Sequence, residues 1–421
     1  MCGIFGLFSQ SPVNSGDVSV LAHHARQRGR DSSGLVFSNH NTYCVETTDN
    51  DIKKLIVKTR IGSSPFLMGH SRLITNGLGD NQPVVRNDVI VIHNGIIVND
   101  KEIWESTGLK KNLEVDSEVI AALTEDHILR GGRLGDIPAL VLDKCSGIVA
   151  CAIILPNHGK AIIFSNNGSL YVGTRGEETF FSSESFPLTQ IKCNDFYQVK
   201  EGGHLFDIPV STSLPQVNES KSRVENLIPE FQFITKEAEL LEYKETLNIK
   251  RCTRCILPET MPYIYFDDKG VCNYCNSYKL RNIPKPKEEL FELVEPYRRK
   301  EGLDCIVPFS GGRDSCYGLH LIVEELKMKP VTYTYDWGMV TDLGRRNISR
   351  MCSQLGVENI IIAADISKKR RNIRMNLEAW LRSPHLGMMA MLTAGDKHFF
   401  RHVETVKKQT GINLNLWGVN P

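Results

Sequence analysis

The sequence predicts an α+β layered domain, then a small cysteine module, then an α/β domain built on a parallel sheet. Three observations carry this reading. Residues up to about 215 read as short β-type runs broken by Gly, Asn and Asp turns, with two helical patterns between them. Two CxxC pairs bracket a short stretch at 252–275. Beyond residue 303, buried strands alternate with helical segments, the pattern of a parallel sheet covered by helices. A chain of 421 residues also exceeds what one hydrophobic core usually serves.

In chain order, the first-half strands are GIFGLF, NTYCVET, DVIVIHNG, GIVACAIILPN, KAIIFSNNGSLYVGT and TFFSSES. Helices are expected at VSVLAHHARQR and at DSEVIAALTEDHILRG, where Asp116 or Ser117 can cap the start. Residues 211–225, STSLPQVNESKSRVE, lack an apolar period and read as a linker. ITKEAELLEYKETLNIK then predicts a connecting helix, and KEELFELVEPYRRK a charged one after the cysteine module. The last part alternates LDCIVPF, a glycine turn, SCYGLHLIVEELK, PVTYTYDW, RRNISRMCSQLG and ENIIIAA.

Composition narrows the function classes. Lys+Arg 50 against Asp+Glu 49 gives a net charge of +1, which argues against a broad electrostatic surface for nucleic acid or acidic lipid. No apolar run reaches the roughly 20 residues of a membrane span, and the amino terminus lacks a secretory signal. The expected location is the cytoplasm, without membrane insertion. Of twelve cysteines, four form the CxxC pairs; the others, Cys2 apart, read as small buried apolar residues, as does Cys316 behind the glycine turn.

Cys2 directly follows Met1 in MCGIFGLF. Removal of the methionine would leave Cys2 with a thiol and a free α-amine, whose reference pKa of about 7.7 to 8.0 suits it to accept the thiol proton near neutral pH. A carbonyl attacked by that sulfur develops oxyanion charge, and HNG at 93–95 offers an amide side chain and a backbone N–H at a strand end. Read singly, these residues are bland. Cys2 is a small residue starting a strand, Arg72 a surface charge, Asp116 a helix cap and Asn94-Gly95 a hairpin turn.

Taken together, MCGIFG, RGRDSSG (28–34), GHSRL (69–73), IHNG (92–95) and DSEVIAAL (116–123) resemble the class II glutamine amidotransferases, amino-terminal nucleophile (Ntn) hydrolases with an αββα sandwich fold. The resemblance implies that Cys2 attacks the glutamine side-chain amide, giving a γ-glutamyl thioester and ammonia. It places Asn94 and Gly95 in the oxyanion hole, Arg72 on the substrate carboxylate and Asp116 on its amine. Arg30 stands where that family more commonly has proline.

CTRC (252–255) and CNYC (272–275) lie sixteen residues apart. Four thiolates at this spacing, Cys252, Cys255, Cys272 and Cys275, close a tetrahedral Zn²⁺ site of structural type, with iron-sulfur or redox use as the alternative. PFSGGRDS (308–315) follows a buried strand and opens a helix, so its N–H groups and the Ser310 and Ser315 hydroxyls can cradle a phosphate chain. It is not the GxxxxGK[ST] of phosphate-cleaving NTPases. SGGRDS resembles the pyrophosphate loop (PP-loop) of the N-type ATP pyrophosphatases, an adenine nucleotide α hydrolase-like fold. By that likeness Ser310, Gly311, Gly312, Asp314 and Ser315 clamp ATP, Asp314 ligates Mg²⁺, and Asp336, ending the next strand, stands near the nucleotide.

The carboxyl half, with the late segment AGDKHFFRHVETVKKQTGINLNLWGVNP, looks like the N-acetyl sugar amidotransferases of surface-polysaccharide biosynthesis, which turn an acetamido into an acetamidino group on a nucleotide-linked sugar. That likeness also predicts a synthetase domain continuing past GVNP. The expected domains are therefore a glutamine amidotransferase at 1–215, a linker and connecting helix at 216–250, a four-cysteine zinc module at 251–282 and a PP-loop synthetase at 283–421. ATP, Mg²⁺ and Zn²⁺ are the cofactors. Glutamine and a nucleotide-linked sugar or other small amide acceptor are the partners, nucleic acid is not, and self-association stays open. The alternatives are asparagine-synthetase-like amidation of another small molecule or peptide, a tRNA-modifying PP-loop enzyme, and a non-catalytic regulatory protein in which both sites are relics.

Overall fold

The computed structural model describes residues 2–39, 42–59, 61, 64–74, 79–200, 202–221, 248–280, 283, 285–338, 340–383 and 396–418. The chain gathers into two compact units. One comprises Met1–Arg223, Val294–Arg370 and Gly395–Asn420, the other Val224–Leu293, Arg371–Ala394 and Pro421.

The amino-terminal part of the first unit contains strands β1 (Gly3–Phe8), β2 (Ser32–Asn39), β3 (Thr42–Thr48), β4 (Phe66–Arg72), β5 (Val84–Arg86), β6 (Val89–Ile97), β7 (Gly147–Leu155), β8 (Lys160–Ser165), β9 (Tyr171–Arg175), β10 (Glu178–Ser182), β11 (Asp195–Gln198), β12 (Gly203–Asp207) and β13 (Gln216–Ser220). Its helices are α1 (Ser15–Arg28), α2 (Ile52–Lys58), α3 (Asp100–Thr107), α4 (Glu118–Leu129), α5 (Ile137–Lys144) and α6 (Ser185–Gln190). Sheet I runs β11-β9-β10-β1-β4-β2-β3-β13 and sheet II runs β12-β8-β7-β6-β5.

Strand alternation explains the layering. In β1, Ile4 and Phe8 point between the sheets, where they meet Phe66, Met68, Ile90, Ile92 and Ile163, while Phe5 and Leu7 point outward onto Leu21 and Ala22 of α1. The outer face of sheet II packs Val91, Val149 and Ile162 against Val119 and Ile120 of α4 and Val141 of α5. The order helix, sheet, sheet, helix is the expected αββα sandwich.

Sheet III is formed by β14 (Cys305–Pro308), β15 (Pro330–Asp336), β16 (Glu358–Ala363) and β17 (Leu414–Asn415), in the order β16-β15-β14-β17 and wholly parallel. Between them run α9 (Arg313–His320), continued by a π-turn at Leu321–Glu325, then α10 (Asp342–Gln354), α11 (Ile366–Arg382) and α12 (Asp396–Thr410). One face of the sheet buries Ile306, Val331 and Ile360 against Val403 and Val406 of α12. At the other, Thr332 meets Cys352 of α10 at 3.5 Å. In the second unit, α7 (Asn273–Ser277) closes the cysteine module, and α8 (Lys287–Val294) follows it in the chain.

Several expectations need correction. The HNG stretch does not end a strand, because β6 runs on to Ile97 and Asn94 and Gly95 pair with Ala150 and Val149 inside the ladder, so there is no hairpin turn there. Residues 211–225 are not simply a linker: Gln216–Ser220 add a parallel edge strand to β3. An edge strand needs only backbone pairing, so it carries no apolar period. Neither expected cap forms on α4, where Ser117 makes no capping bond and Asp116 accepts from Ile97 N at 2.8 Å instead. The charged helix after the cysteine module stops at Val294, where a 3-10 turn at Glu295–Tyr297 carries Pro296. Helices α2, α3, α5 and α6 are too short to show an apolar period in sequence. Most of the connecting helix expected at 234–250 lies outside the described residues.

Candidate active site

The inner faces of β1, β2, β4 and β6 become polar at one end. Period-two alternation puts Ser32 on the same face as Val36, His70 and Arg72 on that of Phe66 and Met68, and Asn94 on that of Ile90 and Ile92. Cys2, one residue before β1, shares the side of Ile4. Pairing of Gly3 with Ser71 and of Ser32 with Arg72 draws these ends together.

All five residues are buried, and several polar atoms have no hydrogen-bond partner in the structure: Ser32 Oγ and both Asn94 side-chain polar atoms. A fully buried amide with neither donor nor acceptor satisfied costs about 1–3 kcal/mol per group, so the Asn94 amide calls for a partner from a ligand or a bound water. Gly95 explains the narrowness of the next position. A Cβ there would lie 1.8 Å from Ile148 O. Its N–H points to the same strand edge as that of Ile97, away from β7, since Val149 opposite gives both backbone groups to Asn166.

The Cys2 thiol donates to Leu73 O at 3.9 Å. Burial pushes it up, against the pull of nearby positive charge that includes Arg72. Arg72 directs its guanidinium at Asp80 O and, at 3.5 Å, Asn81 Oδ1. Asp116 is 5% exposed and holds the backbone of β6 through Ile97. Its neighbour Ser117 ties the wall together, with Oγ accepting from Gln82 Nε2 at 2.9 Å and meeting His93 Nδ1 at 3.1 Å. Burial, with Arg72 beside it, holds His70 well below the ordinary imidazole range, so this ring is neutral at pH 7. Burial also lowers His93, although Asp116 pulls it the other way.

The structure thus brings Cys2, Arg72, Asn94, Gly95 and Asp116 to one end of the sandwich. Sequence reading missed Ser32, His70, Gln82, His93 and Ser117. His70 was within reach, since strand parity with Arg72 puts both on one face.

A second site lies at the carboxyl ends of sheet III. The chain steps outward from β14 to β16 and returns on the far side of β14 as β17, which opens a crevice where parallel sheets bind ligands. A cavity of about 680 Å³ fills it, walled by Ser310, Gly312, Asp314, Ser315, Tyr335 and Trp417 among others. Gly311 sits at φ +72°, a conformation that favours glycine, and a Cβ would lie 2.7 Å from Gly344 O. Ser310 Oγ accepts from Gly312 N at 3.3 Å and lies 3.1 Å from Ser315 Oγ. Asp314 does not cap α9, whose N-cap is Gly312, and its half-exposed carboxylate faces the cavity beside Arg313. Asp336 is nearby but committed: one oxygen accepts from Gly338 N at 2.9 Å and the other pairs with Arg345 at 2.9 Å.

In the second unit the four Sγ atoms of Cys252, Cys255, Cys272 and Cys275 lie within 4.8 Å of one another. Two of the separations are 3.9 and 3.6 Å. Tetrahedral zinc with Zn–S of about 2.3 Å requires S···S of about 3.8 Å, whereas a disulfide requires about 2.05 Å. Backbone N–H groups of Arg254, Cys255 and Cys272 point at Cys252 Sγ at 3.2–3.5 Å. Against desolvation, these donors draw that thiol down to about 6. The donor set fits a tetrahedral metal ion.

Residues 70–190 match the model of a family described as a glutamine amidotransferase domain, a span that contains His70, Arg72, Asn94, Gly95 and Asp116. The chain therefore carries a class II glutamine amidotransferase domain. Among curated proteins it is similar to the isomerizing glutamine–fructose-6-phosphate aminotransferases of Bradyrhizobium diazoefficiens (28% identical, over 45% of this chain and 32% of the relative) and Wigglesworthia glossinidia brevipalpis (29%, 48% and 35%). The chain thus spans about a third of the length of these relatives. Two solved structures share TM-scores of 0.40: glutamine phosphoribosylpyrophosphate amidotransferase from B. subtilis complexed with ADP and GMP, at 19% identity over 51% of this chain and 50% of that one, and an allosteric regulatory enzyme of purine biosynthesis, at 14% over 86% and 80%. Among the described residues, no helix is long and apolar enough to cross a membrane.

Proposed function

We propose that this chain is a glutamine-dependent, ATP-consuming amidotransferase that passes ammonia to an AMP-activated amide of a small acceptor, with the acetamido group of a nucleotide-linked sugar as the first candidate. The observation that carries the reading is the unpartnered Asn94 amide, buried at the same end of the sandwich as Cys2 within a glutamine amidotransferase domain. The Cys2 sulfur attacks the glutamine carboxamide carbon, and its proton passes by way of the α-amine, freed by loss of Met1, to the departing ammonia. The Asn94 side-chain amide and the Gly95 N–H take up the oxyanion charge. Water then hydrolyses the thioester to glutamate. Arg72 binds the substrate carboxylate and Asp116 its ammonium.

In the second site the acceptor amide oxygen attacks the α-phosphorus of ATP and pyrophosphate leaves. Ammonia then adds to the resulting imidoyl carbon, AMP departs, and an amidine remains. The turn from Ser310 to Ser315 holds the pyrophosphate, and Mg²⁺ held at Asp314 would supply countercharge to it. Asp336 acts from behind the cavity wall, through Arg345. The four-cysteine cluster would hold Zn²⁺ as a structural staple, since four sulfur ligands leave no open position.

The test is glutamate release from glutamine by the purified protein beside Cys2→Ala, with and without ATP and a panel of UDP-linked N-acetyl sugars. Cys2-dependent release that rises with ATP and one sugar supports the reading and names the acceptor. No release from protein shown to lack Met1 overturns it.

A further inference from the structure

The cavity at the carboxyl ends of sheet III has two aromatic flanks. Strand order β16-β15-β14-β17 puts the Ser310–Ser315 turn, which follows β14, between them. On the β15 flank stand Tyr335 and Trp337, both half-buried. Tyr335 stacks on His402 with ring centroids 5.4 Å apart, and Lys369 Nζ lies 5.4 Å from the centre of the Trp337 ring. On the β17 flank stand Phe399 and Trp417. Phe400 stacks on Trp417 at 5.8 Å and 27°, and Phe399 meets it edge-on at 5.5 Å and 71°. Even so, Trp417 is 41% exposed and Phe400 57%. An indole held by two rings while much of its surface stays open is an apolar platform, not a core residue.

The backbone sets this platform beside the glycine turn. Leu416 N donates to Ile306 O at 3.0 Å, so Trp417 leaves sheet III near the carboxyl end of β14. Gly418 then packs on the first turn of α9, where a Cβ on it would lie 3.1 Å from Asp314 O and 3.4 Å from Ser315 Cα. Trp417 therefore adjoins the turn that the reading above gives to pyrophosphate, on the flank opposite Trp337.

Two ring systems must meet near that turn, the adenine of ATP and the acceptor. The more enclosed β15 flank suits the adenine, which leaves the open platform for the acceptor. In a nucleotide-linked N-acetyl sugar the reacting carbonyl is joined to the pyranose through a single nitrogen, so the sugar ring has to lie close to the α-phosphorus. The nucleobase of the same molecule lies beyond a diphosphate. A pyranose face presents C–H bonds of partial positive charge, and an indole face is the negative side of its quadrupole, so the two attract and bury apolar surface on both.

We propose that Trp417 is the acceptor platform of the second site, stacking on the pyranose ring so that the acetamido oxygen points at the α-phosphorus. Phe400 is a positioning residue that holds the indole from behind. This rests on the amidotransferase reading above and adds to it the residue that selects a sugar ring.

The test uses the full chain with α,β-methylene-ATP, which resists cleavage between its α and β phosphorus atoms. Calorimetry gives the affinity for UDP-N-acetylglucosamine and UDP-N-acetylgalactosamine, and saturation-transfer NMR reports which ligand protons touch the protein. In the wild type the pyranose protons and the acetamido methyl should take up more saturation than the uracil. Trp417→Ala should bind the sugar at least about tenfold more weakly while its affinity for α,β-methylene-ATP stays within about twofold. Trp417→Phe, which keeps a ring, should recover most of the sugar affinity, and Phe400→Ala should lose part of it, with the folding of each variant checked by thermal unfolding. Unchanged sugar affinity in Trp417→Ala, saturation dominated by the uracil, or loss of nucleotide affinity in place of sugar affinity overturns the platform and leaves the acceptor reading standing. A wild type that binds the nucleotide but neither sugar overturns the sugar acceptor and the platform together.

Discussion

The Tyr171 hydroxyl, from β9 of sheet I, donates to Glu358 Oε2 at the first residue of β16 in sheet III, in a contact that is fully buried. Gln198 Nε2 donates to the same oxygen at 3.1 Å. Burial pushes Glu358 up to about 7, with Arg28 and Lys200 opposing the rise and Glu184 adding to it. Around this residue, Arg28 reaches Asn359 O at 3.5 Å and Asn359 N reaches Ser169 Oγ at 3.2 Å, so the first two residues of β16 are clasped by the sandwich.

Glu358 should therefore make stability depend on pH. Its folded pKa of about 7 exceeds the ordinary glutamate value of 4.5, so the folded state binds the extra proton. The contribution is fully present below about 4.5 and is lost as pH rises through about 7, at a cost of about 3 kcal/mol. Glu358→Gln keeps an acceptor for Tyr171 and does not titrate. Thermal unfolding from pH 5.5 to 8 should show the wild type losing stability relative to Glu358→Gln as pH rises. The comparison is needed because neutral, buried His70 works the other way, costing stability as pH falls below about 6.5. Parallel curves would refute the role given to Glu358.

Asn94→Ala should separate activity from stability. Loss of one oxyanion donor lowers kcat by about 10²–10³-fold. Since neither polar atom of the Asn94 amide has a partner in the folded protein, removing them should leave the melting temperature unchanged or raise it. A large drop in melting temperature with kcat preserved would show that Asn94 is structural.

Gly311→Ala should weaken nucleotide binding. A positive φ costs an L residue about 1 kcal/mol, and the new Cβ would press within 2.7 Å of Gly344 O, so affinity for ATP should fall at least about tenfold by calorimetry. Glutamine hydrolysis without nucleotide should persist.

Removing metal should affect the second unit selectively. Chelation is expected to release one zinc per chain and to alter fluorescence of Tyr263, Tyr265 and Tyr274, which stand within the cysteine module, while glutaminase activity without ATP continues. A visible absorption band lost together with iron would instead identify an iron-sulfur centre.

Local geometry was legible in the linear chain: a cysteine just ahead of β1, the SGGRDS turn with a glycine where φ is positive, and two CxxC pairs whose sulfurs gather within 4.8 Å of one another. Each is encoded within a few neighbouring residues, where backbone geometry leaves little choice. β1, β7 and α4 were legible too: the two strands are unbroken apolar runs, and α4 repeats apolar residues at helical spacing. Whatever depends on register between distant strands emerged only on folding. Assembly of the sheets put His70 and Ser32 on the inner face at the end where Cys2 lies, and it turned Asp116 from a helix cap into a support for Ile97. It also ran β6 through Asn94-Gly95 and set the Asp31 carboxylate against Ile74 N. Pairing a strand with one neighbour or another changes none of its own periodicity, so only the assembled sheets reveal which side chains converge.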